Sequence, residues 1–271
     1  MMSKKVVFIT GAFGLIGYSL SKYFLRNNYC VILSDIDSSK ISSVKADLTN
    51  NEKFDNDSFL VLELDITNKD SVENSLKLTI KKFKKVDILI NNAAIDAKFD
   101  KTGFENIDNN SFENYPIDLL EKSIRVNTIG TVLVTQIFCK QMLLQGFGNI
   151  INVASTYALI SPNQNLYDFN DGNEVKYKPV DYIVSKSFIP NFTRYISTFY
   201  ARKNIRCNAI APHGIYNNHD EKFLKNFSEL SPIGRMCEVE ELHSAFKFLA
   251  DEESKYMTGS TLVIDGGWTA W

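Results

Sequence analysis

The sequence is poor in the residues that build most metal and dithiol sites. It holds 4 cysteines and 3 histidines in 271 residues. Cys30, Cys139, Cys207 and Cys237 are far apart and form no CxxC pair, which argues against a zinc site or a redox motif. Reduced, mostly buried thiols in a cytoplasmic protein are the expectation, and no metal is expected. An excess of charge of one sign is also missing. Lys and Arg number 30 against 32 Asp and Glu, a net charge of -2. Nothing therefore drives the chain to nucleic acid or to an anionic membrane, and no basic tract is interleaved with aromatics. Long apolar runs are absent too. The uncharged stretch Val126–Cys139 is too short to span a bilayer and reads as a buried helix. Lys4 and Lys5 followed by the uncharged Val6–Ser21 imitate a secretory leader. Three glycines interrupt that run, and no small-x-small cleavage site stands out. No Pro/Gly/Ser linker and no internal repeat divide the chain, so 1–271 is expected to be one domain.

What is present is an alternation of strand-like and helix-like segments. Lys5–Thr10, Cys30–Ser34, Phe59–Leu64, Val86–Ile90, Asn149–Val153, Ile205–Ile210 and Thr261–Ile264 are short apolar runs of the kind buried on both faces of a parallel sheet. Between them lie helical patterns such as Val72, Leu76, Ile80 and Phe83 on a Lys-rich segment. The alternation predicts an α/β fold: a Rossmann-type, doubly wound parallel sheet of about seven strands with helices on both faces. Asn50–Ser58, Asp96–Pro116 and Ser161–Pro179 read as loops or insertions, and loops this long are usually functional or mobile. The two longer ones place substrate-loop insertions near 96–116 and 157–180.

The first strand runs into Thr10-Gly-Ala-Phe-Gly-Leu-Ile-Gly17 and then a helix. Gly11, Phe13, Gly14, Leu15 and Ile16 thus form a turn whose backbone can approach a pyrophosphate at a helix N-terminus. A tight strand–helix turn with no ligand would look the same. Asp35 ends the second strand 24 residues after Gly11, followed by Ile36. An acid there accepts from the adenosine ribose hydroxyls and repels a 2′-phosphate. No Arg or Lys sits in the turn or directly after Asp35, so NAD(H) is expected over NADP(H). Asp65 and Ile66 close the third strand. Asn91, Asn92, Ala93 and Ala94 close the fourth, small enough for a ribose or flat ring to lie on the backbone.

Tyr182-Ile-Val-Ser-Lys186 sets a phenol and an ammonium at i and i+4 on one helix face. A free phenol has a pKa of about 10 and is a poor base at neutral pH. A cation about 4 Å away, at an effective dielectric near 20, contributes roughly 4 kcal/mol at most, or about three pKa units. Taken alone, a Tyr and a Lys four apart on a helix are commonplace.

Together these segments resemble the short-chain dehydrogenase/reductases, in the single-domain branch of about this length. The resemblance runs through the glycine turn, Asp35, Asp65, Asn91–Ala94, Asn127 in Val-Asn-Thr-Ile-Gly, Ser155 in Ile-Ile-Asn-Val-Ala-Ser, and Tyr182 with Lys186. It continues through Ile-Arg-Cys-Asn-Ala-Ile-Ala-Pro212 and Ser-Pro-Ile-Gly-Arg235 to Thr-Gly-Ser-Thr-Leu-Val-Ile-Asp-Gly-Gly267. It implies that Tyr182 exchanges a proton with the substrate oxygen while Lys186 lowers the Tyr182 pKa and holds the nicotinamide ribose. It implies that Ser155 donates to the developing oxyanion and that Asn127 holds a water linking Lys186 to solvent. Ile215, in the loop after Pro212, would pass the nicotinamide. The helices at Lys122–Gln145 and Tyr182–Arg202 would pack between subunits of a homodimer or homotetramer.

Departures from the family pattern point to the substrate. The middle glycine of the turn is usually one residue later, where this chain has Leu15, a spacing shared with the longer epimerase/dehydratase branch. Ala94 stands where glycine is common. His213 follows Pro212 where glycine is usual and is expected either to touch substrate or cofactor or to be a partly exposed loop histidine. His219 and His243 are expected at the surface. Ala154-Ser155-Thr156-Tyr157 and the closing Gly266-Gly267-Trp268 are most similar to flagellin-modification dehydrogenases linked to bacterial nonulosonic (legionaminic-type) sugar pathways. Tyr182 follows Ser155 by 27 residues, a long gap for the family. Asn163, Gln164, Asn165, Tyr167, Asp168, Asp171, Glu174 and Tyr177 fall in that gap, and a polar wall for a hydroxyl-rich small-molecule substrate is expected of them. Ser155, Tyr157, Asn163 and His213 are the candidate substrate contacts. Sugar oxidoreduction in surface-glycan biosynthesis is the leading expectation. A 3-oxoacyl-carrier-protein reductase, usually NADPH-dependent, is opposed by Asp35. A nucleotide-binding sensor or scaffold without chemistry is opposed by the intact Asn127, Ser155, Tyr182 and Lys186.

Overall fold

Each of the seven apolar runs becomes a strand, the central ones buried on both faces and the last, Thr261–Ile264, half-buried. The computed structural model describes residues 4–96, 111–167 and 177–271. Its strands are β1 (Val6–Thr10), β2 (Cys30–Asp35), β3 (Phe59–Glu63), β4 (Ile88–Asn91), β5 (Gly148–Val153), β6 (Ile205–Pro212) and β7 (Thr261–Ile264). They form one parallel sheet in the order β3-β2-β1-β4-β5-β6-β7. The order reverses between β1 and β4, and in open α/β sheets a ligand crevice forms at the carboxyl ends of the strands at that point.

The helices among the described residues are α1 (Leu15–Arg26), α2 (Ile41–Ala46), α3 (Lys69–Phe83), α4 (Ile117–Ser123), α5 (Thr131–Gln145), α6 (Val180–Ser187), α7 (Ile189–Tyr200), α8 (Glu221–Leu230) and α9 (His243–Ala250). Side chains alternate across β1. Val7 and Ile9 pack with Leu20 and Phe24 of α1 and Phe246 and Leu249 of α9. Val6 and Phe8 pack on the other face with Val72 of α3, Phe138 of α5 and Ile196 of α7. The Lys-rich segment is a helix as its period requires. Asn68 caps it by accepting from the Ser71 amide at 3.1 Å, and Lys84 ends it in the left-handed region.

Several boundaries shift for local reasons. β6 runs two residues past Ile210 because Ala211 and Pro212 pair with Val263 and Ile264 of β7. The expected helix Lys122–Gln145 is α4 and α5 joined by a π-helical segment, Ile124–Gly130. Gly130 lets this segment pack close to Ile66, whose Cδ1 a Cβ would meet at 2.8 Å. The expected Tyr182–Arg202 helix starts at Val180, changes to α7 at Phe188, and is completed by a 3₁₀ turn, Ala201–Lys203. The four thiols are all unbonded; Cys139 and Cys207 are buried, while Cys30 and Cys237 are half-buried rather than buried. Among the described residues no helix is long and apolar enough to cross a membrane.

Candidate active site

The turn after β1 is built against the end of β4. Gly11 adopts φ +63°, and a Cβ there would lie 2.6 Å from Ala93 Cα. A Cβ on Gly17 would meet the Gly11 carbonyl oxygen at 2.4 Å. Gly14 differs, because its Cβ would reach only the Gly11 oxygen, at 3.6 Å. Gly14 is the N-cap of α1 and provides no side-chain cap, so the first-turn amides of that helix are available to an anion. Leu15 and Ile16 begin that helix.

The strand ends hold this turn in place. Asn92 donates through Nδ2 to the carbonyls of Thr10 and Gly11, at 3.0 and 2.9 Å. The amides of Asn92 and Ala93 both donate to Thr10 Oγ1 at 3.0 Å. Asn91 points the other way and donates to Thr135 Oγ1 and Asn152 Oδ1. Asp35 accepts from the Phe13 amide at 2.9 Å and from the Asp37 amide at 3.2 Å. Ile36 beside it is exposed. Asp65 accepts from the amide and hydroxyl of Thr67, each at 2.8 Å, and Ile66 is buried behind it. Ala94 is exposed at the mouth. Ile215 lies in the loop after β6, bridged to Cys237.

The proton-transfer candidates meet where β5 and α6 approach. Ser155 follows β5, is buried, and accepts from the Tyr157 amide at 3.2 Å. It also hydrogen-bonds the Tyr182 phenol, which draws that pKa down, whereas burial and then Asp96 push it well above the ordinary phenol value. Lys186, one turn further along α6, donates to the Val153 carbonyl at 2.8 Å. Burial pushes its ammonium down to about 8, with Asp96 acting in the opposite direction. Asn127 sits in the π-helical segment. Its Nδ2 donates to the Ile95 carbonyl at 2.8 Å and to Ser185 Oγ at 2.9 Å, and its Oδ1 accepts from the Ile95 amide at 2.8 Å. Both amide hydrogens are engaged with protein, so its side chain ties the loop after β4 to α6.

Two charged residues that the sequence reading leaves in loops, without a role at the site, join this group. Lys178 donates to both carboxylate oxygens of Asp96, at 2.7 and 2.9 Å. Its Nζ lies 4.3 Å from the Tyr182 ring centroid. The sequence carries a faint signal: Lys178 stands four residues before Tyr182, as Lys186 stands four after it. Lys178 lies outside the helix, however, so helical spacing gives no reason to place it near the ring.

His213 is buried in an aromatic cluster, not open to the crevice. Its Nδ1 shares a hydrogen bond with Thr156 Oγ1 at 2.6 Å, and its ring stacks on Phe227 and lies 4.2 Å from the Trp268 ring. Burial lowers its pKa to about 4. Tyr157 is also buried, sharing a hydroxyl–hydroxyl bond with Tyr167 at 3.0 Å. Asn163 is exposed and accepts from the Asn165 amide, and Gln164 and Asn165 are exposed beside it. Asp168, Asp171 and Glu174 lie outside the described residues. His219 and His243 are half-buried rather than superficial; His219 stacks on Phe223, and His243 bonds Ser19 and stacks on Tyr23.

Residues 11–269 match a family model described as enoyl-(acyl carrier protein) reductase. The chain is similar to post-translational flagellin modification protein A of Campylobacter coli, 30% identical with 99% of each chain covered. It is 29% identical to 7alpha-hydroxysteroid dehydrogenase of Bacteroides fragilis, over 98% of this chain and 94% of that one. A short chain dehydrogenase of Leptospira borgpetersenii, solved with bound NAD+, superposes with a TM-score of 0.82 at 29% identity, covering 98% of this chain and 93% of the other. The glycine turn, the Ser155–Tyr182–Lys186 grouping and these full-length matches have one meaning: the chain belongs to the short-chain dehydrogenase/reductase family, oxidoreductases that act on CH–OH groups with a nicotinamide cofactor.

Proposed function

We propose that the chain is an NAD(H)-dependent enzyme that interconverts a secondary alcohol and a ketone on a hydroxylated, sugar-like substrate in surface-glycan biosynthesis. The Asp35 carboxylate carries the cofactor part of this reading. Only one backbone donor engages each of its oxygens, which leaves lone pairs for ribose hydroxyls. Asp37 follows two residues later and pairs with Lys40 at 3.0 Å. A 2′-phosphate would meet two carboxylates there. The open side of Gly14 and the uncapped start of α1 suit a pyrophosphate.

The bound nicotinamide would supply or accept the hydride. The chain's own residues handle the proton. In reduction the Tyr182 hydroxyl donates its proton to the substrate oxygen and becomes a phenolate, and in oxidation the phenolate takes the alcohol proton back. Ser155 Oγ donates to the same oxygen and stabilises its developing charge. Lys186, fixed by the Val153 carbonyl, keeps further N–H groups that would hold the nicotinamide ribose and favour the Tyr182 phenolate. Asn127 holds Ile95 and α6 at a fixed spacing. His213 supports the serine loop through Thr156.

The exposed, polar Gln164, bonded to the backbone of Lys178 beside the Tyr182 ring, supports a hydroxylated substrate, and the similarity to the flagellin modification protein supports the glycan setting. Exposed Leu144, Tyr195 and Phe199 on α5 and α7 favour subunit association through those helices. The unbonded thiols suit a reducing cytoplasm. The test is turnover with NAD+ and NADP+ against polyols, sugar phosphates, nucleotide sugars, a hydroxysteroid and a 3-hydroxyacyl thioester. Preferred oxidation of a sugar derivative with NAD+ is expected. Preference for the steroid or the thioester, or for NADP+, would contradict the reading.

A further inference from the structure

The family pattern pairs the Tyr182 phenol with one cation, Lys186. The structure sets another against its ring. The Lys178 ammonium lies over the Tyr182 ring, 4.3 Å from its centroid, and grips the Asp96 carboxylate with both contacts under 3 Å (2.7 and 2.9 Å). The Lys178 side chain is 9% exposed and that of Asp96 21%. Charges this sheltered are screened far less than a surface pair.

Both partners are held from their backbones. The Lys178 amide donates to Gln164 Oε1 at 2.9 Å, and Gln164 Nε2 returns a bond to the Lys178 carbonyl at 3.4 Å. Pro179 follows and caps α6. Asp96 is next to Ile95, whose amide and carbonyl are clamped by Asn127. The ammonium and the carboxylate are therefore fixed relative to the catalytic ring.

We infer that Asp96 and Lys178 are positioning residues, a fixed charge couple that sets the protonation of Tyr182 for proton transfer. Lys178 favours the phenolate. Asp96 opposes it, and it also favours the charged form of Lys186. The other groups facing the phenol are Ser155 and Tyr157 on the serine loop, Tyr167, and Asp181 on α6 itself. Asp181 accepts from Ser123 of α4 and acts on Tyr115. None of these is a cation; the cation that the structure sets against the Tyr182 ring is Lys178.

This inference rests on the assignment of Tyr182 as the proton-transfer group, which Tyr182→Phe tests separately. The experiment is the pH profile of kcat/KM, which reports the free enzyme. Asp96→Asn removes the negative charge and keeps a polar partner of the same shape; the midpoint assigned to Tyr182 should fall by about one pH unit. Lys178→Met leaves the carboxylate unopposed, and the midpoint should rise by about one unit. The double variant should return close to the wild-type midpoint, and Lys178→Arg should restore it. A couple that only braces the loops would change KM or kcat without moving the midpoint in opposite directions. Unmoved midpoints, or shifts of one sign in both single variants, overturn the proposal. Should Lys178→Met fail to fold, Asp96→Asn decides alone: a downward shift supports the couple, and no shift overturns it. If Tyr182→Phe keeps full turnover, the assignment of Tyr182 falls, whatever the midpoints do.

Discussion

The Asp35 carboxylate accepts a hydrogen bond from the Phe13 amide at 2.9 Å, which locks the end of β2 to the glycine turn after β1. One acid thereby shapes the turn and is the group proposed to hold the adenosine ribose.

Replacing Asp35 should therefore change cofactor choice more than fold. Hydrogen bonds to a charged acceptor contribute about 1.5–3 kcal/mol each, or roughly ten- to hundred-fold in binding. Asp35→Ser should lower kcat/KM for NAD+ by at least about tenfold and raise that for NADP+. Steady-state kinetics with both cofactors checks this. Equal loss with both would point to damage of the turn.

The glycines of the turn should separate fold from ligand. Gly11→Ala forces a left-handed residue, at a cost of about 1–2 kcal/mol, and drives a Cβ to 2.6 Å from Ala93 Cα. It should lower the unfolding midpoint markedly. Gly14→Ala meets only the Gly11 oxygen, at 3.6 Å. It should fold like the wild type yet bind NADH more weakly, as thermal unfolding with and without NADH would show.

The sheet and the glycine turn are legible in the sequence because local rules decide them. Apolar runs bounded by turns become buried strands, and Gly11 and Gly17 answer a steric demand that no other residue meets. Tyr182 and Lys186 needed only helical spacing and a family pattern. Lys178 and Asp96 did not show, because they are 82 residues apart in sequence and meet only through tertiary packing. A partly exposed position, one of the two expectations for His213, fails for a related reason. A histidine in a glycine position suggests an open loop, but Phe227 and Trp268 close over it from elements later in the chain.

Burial of His213 should shape acid stability. Its folded pKa is about 4 against an ordinary 6.5. Below pH 6.5 the unfolded chain takes up a proton that the folded chain refuses, so stability falls as pH drops towards 4. The shift corresponds to on the order of 3 kcal/mol across that window. His213→Phe should flatten much of this slope in denaturant unfolding measured across the same pH range. An unchanged slope would place the acid sensitivity elsewhere.

Lys186 should trade stability for chemistry. Its ammonium is pushed down to about 8 from 10.5, chiefly by burial. Below pH 8 both folded and unfolded chains carry the proton, and the folded state bears the full desolvation penalty. Stability therefore rises with pH between about 8 and 10.5 as that penalty disappears. Lys186→Met should raise stability at neutral pH by on the order of 1–3 kcal/mol, less what the lost bond to the Val153 carbonyl contributes. Turnover should fall by orders of magnitude. Loss of both stability and activity would show that Lys186 is chiefly structural.

The most direct measurement is on Tyr182→Phe, with NADH binding followed by fluorescence and turnover followed on the best substrate. The hydroxyl is removed and the ring that packs beneath Lys178 is kept. NADH affinity should stay within a few-fold of the wild type while turnover falls by about two to four orders of magnitude, the usual contribution of a positioned acid–base group. Near-normal turnover with intact NADH binding would contradict the assignment of Tyr182 as the proton-transfer residue.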